Sequence, residues 1–130
     1  MTDSCDQSGP SRAEQLIELG ALSMSSAREG AVHTICLFGE LALGTTDRVD
    51  AELQRVEATD AWMIVVDLSG LTFISSAGVQ LLVDAEVRSR ADSQRLALLR
   101  GPPAVQRVLE ICGVGAALPF ATRWAASGRT

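Results

Sequence analysis

Residues 62–83 read Trp-Met-Ile-Val-Val-Asp-Leu-Ser-Gly-Leu-Thr-Phe-Ile-Ser-Ser-Ala-Gly-Val-Gln-Leu-Leu-Val, and this stretch decides the fold. Its first five residues form an unbroken apolar run with β-branched Ile64, Val65 and Val66. Such a run suits a strand covered on both faces better than one with a wet face. Asp67-Leu68-Ser69-Gly70 carries turn chemistry, and a second short apolar group, Leu71 to Ile74, follows it. Beyond Ser75-Ser76-Ala77-Gly78 the residues Val79, Leu82, Val83 and Glu86 recur at helical spacing. The two serines therefore stand at a helix start, where a hydroxyl accepts backbone N–H groups that have no partner within the helix.

Working outward, the pattern alternates between strands and helices. Val32 to Phe38 reads as a strand, joined through the turn Arg28-Glu29-Gly30 to a first strand near Leu22 to Ala27, so the two make a hairpin. Leu16 to Leu22 fits either a short helical extension or the lead-in to that strand. Gly39 to Thr46 reads as a loop. Val49, Leu53 and Val56 then form the apolar stripe of a helix that Thr45 or Thr46 caps, with Asp47 suitably placed against the dipole in its first turn. The helix after Ser76 spans about residues 77–90 and ends with Arg88 and Arg90. Leu96 to Leu99 is a further buried strand, and Pro103 opens a last helix with the stripe Val105, Val108, Leu109 and Cys112, closed by Gly113. Leu118 to Phe120 either adds a short strand or closes the core. Strand-helix-strand-helix order implies parallel pairing with right-handed crossovers. The expected class is thus α/β, with a central mixed sheet of four to five strands, an initial hairpin and helices packed on it.

Composition narrows the function. The 130 residues suit one domain with a real core. A formal charge of −5 and the absence of a basic run argue against nucleic acid or an anionic membrane as partner. No apolar run approaches the roughly 18 residues of a membrane span, and Met1 to Pro10 lacks an apolar signal core, so the cytoplasm is the expected compartment. Residues 1–15 and 122–130 read as tails around a domain over 16–121. Cys5, Cys36 and Cys112 lack metal-ligand spacing; Cys36 and Cys112 are read as small core residues. The chain has no lysine, which removes a Walker-type phosphate loop. Its one histidine, His33, is read as an isolated strand residue that gives Ser76 no base, so no catalytic residue, cofactor site or metal site is expected.

Asp-Leu-Ser-Gly-Leu-Thr-Phe-Ile-Ser-Ser-Ala-Gly-Val, residues 67–79, resembles the signature of STAS domains, specifically bacterial anti-sigma-factor antagonists. Ile35-Cys36-Leu37-Phe38-Gly39-Glu40-Leu41 is similar to the family's strand ending in Gly-Glu-Leu, and residues 103–114 to its last helix. The resemblance covers about residues 22–120. It implies a non-enzymatic protein that binds an anti-sigma factor of the serine-kinase type and so frees a sigma factor, in a stress response for example. It also implies that the kinase phosphorylates Ser76, that a phosphatase reverses this, and that the antagonist is a monomer or weak dimer. Gly39, Glu40, Leu41, Ser75, Ser76, Ala77 and Gly78 become the expected partner surface. The sequence departs from the family pattern at Ser75 and Ala42, where acids are usual. A scaffolding module without phosphorylation and a sensor of small molecules are the alternative readings.

Overall fold

A computed structural model describes residues 15–19, 22–92 and 94–121. Most of the two expected tails, and Cys5 with them, lie outside those residues. Strands β1 (Gln15–Leu19), β2 (Leu22–Glu29) and β3 (Val32–Leu41) are followed by helix α1 (Thr46–Glu57), β4 (Met63–Ile74) and α2 (Ser76–Ala91). Strand β5 (Arg95–Leu99), helix α3 (Pro103–Ile111) and the two-residue β6 (Phe120–Ala121) complete the order. The strands form one mixed sheet in sequence order, antiparallel from β1 to β3 and parallel from β3 to β6. The ambiguous segment after Leu16 is thus a strand paired along β2, and Phe120 contributes to the far edge.

The core follows the sequence periodicity. Val49, Leu53 and Val56 of α1 are all fully buried, and they share one apolar cluster with Leu22, Ile35, Ile64, Val66, Leu82, Leu98, Val105 and Leu109. Ile64 to Leu68 on β4 are buried without a break, as expected for a strand covered on both faces. Trp62 just precedes β4 and is half exposed, with the Arg95 guanidinium 5.8 Å from its ring centroid.

Two readings are corrected here. Asp67 to Gly70 is no turn, because β4 runs through it. Cys36 pairs with Asp67 but Phe38 pairs with Gly70, and Gly39 pairs with Leu71 but Glu40 with Phe73, so β4 carries an extra residue twice. These are β-bulges, which use the same small and polar residues as turns. The Asp67 carboxylate accepts the Ser69 N–H at 2.9 Å, while a Cβ on Gly70 would fall 2.7 Å from the Leu37 carbonyl oxygen and closer still to the Phe38 ring. Only glycine admits β3 that close. The prolonged β4 in turn gives Gly39 to Leu41 strand partners, so β3 does not end at Phe38 and the loop shrinks to residues 42–45.

The cysteine readings divide. Cys36 is 2% exposed and is not a free thiol. Cys112 is exposed and free, which corrects its placement in the core. It is the C-cap of α3, and Gly113 at φ +78° turns the chain just after it, so the buried stripe ends at Leu109.

Candidate functional site

The ends of β3 and β4 and the start of α2 meet at one end of the sheet. Leu41 pairs with Ile74, and the Leu41 carbonyl then accepts the Ser75 N–H at 2.9 Å, tying the helix entry to the end of β3. A Cβ on Gly78 would lie 2.9 Å from that carbonyl oxygen and 2.8 Å from Ile74, so the first turn of α2 sits directly on the strand ends. Leu41 and Gly78 are themselves buried and support the rim from beneath. Its accessible part is Glu40, Ser76 and, to a lesser extent, Gly39, Ser75 and Ala77.

The two serines divide the work that the sequence left to both. Ser75, not Ser76, is the N-cap: it is extended at φ −97° and ψ 175°, and its Oγ accepts the Gly78 N–H at 3.3 Å. A cap must stand one residue before the first helical position and reach the N–H of the second or third, a geometry only Ser75 has here. Ser76 occupies the first helical position, is exposed, and makes no side-chain hydrogen bond to the described residues. Its hydroxyl is therefore spare. No acid occupies the first turn of α2, so the positive end of the helix dipole is uncompensated beside that hydroxyl.

Sequence reasoning did not single out two apolar residues on the same rim. Leu43, at the tip of the 42–45 loop, is 79% exposed, and Phe73 is 48% exposed. The loop under Leu43 is closed by Thr45, whose Oγ1 accepts the Ala42 N–H at 3.1 Å and lies within reach of the Glu40 and Ala42 carbonyls. Thr45 holds the N-cap position of α1, yet its hydroxyl serves this loop and not the helix. Thr72 donates to the Gly39 carbonyl at 3.2 Å, fixing the neighbouring strand end. An exposed leucine had no signal in the sequence, because only the fixed loop shows that it points outward.

Histidine chemistry is found elsewhere than at this rim. His33 does meet a serine, with Ser26 Oγ 2.5 Å from its Nε2, but both residues are buried between the hairpin and α1. That pair offers no accessible nucleophile. Among the described residues no group of histidine, cysteine and carboxylate side chains is arranged to hold a metal, and no helix is long and apolar enough to cross a membrane.

Comparison with known proteins fits this geometry. No curated protein matches the sequence closely. Among solved structures, an anti-sigma factor antagonist from Mycobacterium paratuberculosis superposes with a TM-score of 0.71 at 18% identity, over 81% of this chain and 89% of that one. At that identity the likeness speaks for the fold alone. The anti-sigma factor antagonist SpoIIAA in its unphosphorylated form gives a TM-score of 0.63 at 25% identity, over 88% and 92% of the two chains. The Bacillus cell fate determinant SpoIIAA in its phosphorylated form gives 0.57 at 25% identity, over 88% and 96%. The sequence pattern of the family described as "Mlab, STAS domain" matches residues 24–119, well over half of the chain and every element from β2 to α3. The chain belongs to the STAS domain family.

Proposed function

We propose that this protein is an anti-sigma-factor antagonist whose rim binds an anti-sigma factor of the serine-kinase type, releasing a sigma factor, and that phosphorylation of Ser76 ends the contact. The observation that carries the reading is the spare, exposed Ser76 hydroxyl at the first position of α2, with Ser75 already serving as the cap. SpoIIAA, the 25%-identical antagonist, exists in unphosphorylated and phosphorylated forms, which supports a modification cycle on this fold. The protein itself has no enzymatic role in this scheme; a separate phosphatase restores it, and it works as a cytoplasmic monomer or weak dimer.

The physics of the switch is simple. A phosphate on Ser76 adds about −1.5 to −2 charges, and a helix N-terminus accepts such charge with a gain of roughly 0.3–2 kcal/mol. The fold therefore tolerates the modified state. The partner contact does not, because the same dianion stands exposed on the rim, where a docked protein would have to desolvate it. Contact residues of mixed character, apolar at Leu43 and Phe73 and acidic at Glu40, suit a partner that presents an apolar patch with basic groups at its edge.

Affinity of the purified chain for the anti-sigma factor of its own cell tests the reading. Ser76→Asp is expected to weaken binding at least about tenfold, or 1.4 kcal/mol, with an unchanged far-UV spectrum. Full binding by a folded Ser76→Asp variant contradicts the switch.

A further inference from the structure

Ser26 of β2, His33 of β3 and Glu52 of α1 meet in the interior, at 3%, 7% and 7% exposure. The proton count within this chain is fixed by the acids and bases in it. Burial by itself would raise the Glu52 carboxyl, but Arg55, donating through Nε at 2.9 Å and Nη2 at 2.6 Å, brings it below its ordinary value. Glu52 is thus a carboxylate, which can only accept. Ser26 Oγ lies 2.5 Å from His33 Nε2, and the other ring nitrogen, Nδ1, is buried with no hydrogen-bond partner among the described residues. An orphaned buried N–H is tolerated less well than a bare acceptor, so neutral His33 carries its hydrogen on Nε2, which donates to Ser26 Oγ, and leaves a lone pair on Nδ1.

We propose that Ser26 and His33, buried beside Glu52 of α1, form a proton-sensitive latch within the β2–β3 hairpin, closed while His33 is neutral and weakened when Nδ1 takes a second proton. The surroundings favour the closed state. On β2, Arg28 stands directly across from His33, its charge shared with Asp60 at 2.8 Å. Helix α1 contributes Arg55 and Glu52, and β4 contributes the apolar Ile64 beside the ring. A proton on Nδ1 would create a buried N–H without an acceptor and a cation near two guanidinium groups, opposed only by Glu52. Burial, then Arg55, and lastly Arg28 accordingly hold the His33 pKa below its ordinary value, against Glu52.

The sign of the effect follows. A histidine depressed in the folded state takes its proton first in the unfolded chain, so stability is complete above the unfolded value of about 6.5 and falls as pH drops below it. One such group raises the unfolding constant by at most about tenfold between pH 7.5 and 5.5. The test is denaturant unfolding of the full chain across that range, beside nitrogen-detected NMR of the histidine ring. The expected results are a rise in the unfolding constant toward that limit, a pH-independent unfolding constant in His33→Gln, and a ring still in the single Nε2–H form at pH 6. A ring doubly protonated at pH 6 in the folded protein would overturn the latch, as would a His33→Gln variant that keeps the wild-type pH dependence. Should His33→Gln fail to fold, the ring state of the wild-type protein decides the matter alone.

Discussion

At the scale of single residues, the proposed function rests on adjacent serines with different duties. Ser75 satisfies the Gly78 N–H, so replacing it removes a cap, and Ser75→Ala is expected to lower stability by about 0.5–2 kcal/mol in denaturant titrations. Ser76→Ala removes a hydroxyl that bonds nothing among the described residues and is expected to change stability by less than about 0.5 kcal/mol. The reverse ranking would return the capping role to Ser76 and remove the argument that its hydroxyl is spare. The sequence pointed to a helix start here but could not separate the two positions, because both hold the same good capping residue. His33 marks the other limit at this scale. It was read as isolated because its partners, Ser26 and Glu52, come from neighbouring elements that only the folded chain brings together.

At the scale of elements, β4 is the piece whose form matters most. Its apolar run was legible from β-branched residues alone, whereas its full length was not, since Asp67, Ser69 and Gly70 are equally at home in a turn and in a bulge. The bulges let β4 reach Ile74 and deliver Ser75 to the end of β3. Gly70→Ala would press a methyl group against the Leu37 carbonyl, which no side-chain rotation relieves; a loss of about 1–3 kcal/mol is expected, seen as a melting temperature lower by several degrees. A Gly70→Ala protein as stable as the parent would mean that the two strands can separate at no cost. The helices are tied to each other as well as to the sheet: Arg88 of α2 donates to Glu57 of α1 at 2.8 and 3.0 Å and to Asp50 at 3.1 Å. These distant partners could not be paired from the sequence, which offered Arg88 only as a cation near a helix end. The 42–45 loop belongs to this scale too. Because Thr45 fixes it, Leu43→Glu is expected to reduce partner affinity at least about tenfold while leaving the melting temperature unchanged, and retained affinity would remove Leu43 from the interface.

At the scale of the whole molecule, the sheet presents two opposite ends with different character. One carries Ser76, Glu40, Leu43 and Phe73; the other carries the Trp62–Arg95 stack and the Arg28–Asp60 pair, with the buried His33 latch behind the hairpin. The overall class was readable because each local pattern agreed with strand-helix alternation and with a family resemblance spread over three motifs in order. That Gly39 to Leu41 and Ser75 to Gly78 share one end of the sheet was legible as segments, but which of them form its surface was not, since exposure depends on how closely the strand ends and helix pack. Leu41 and Gly78 turned inward, and Leu43 and Phe73 turned outward.

Phosphorylation mapping tests the central claim most directly: the full chain is incubated with ATP and the serine-kinase anti-sigma factor of its own cell, then digested and sequenced by mass spectrometry. Phosphate on Ser76 and not on Ser75, with the modified protein released from the kinase, is the predicted result. Modification confined to Ser75, or no modification while the complex persists, would contradict the account.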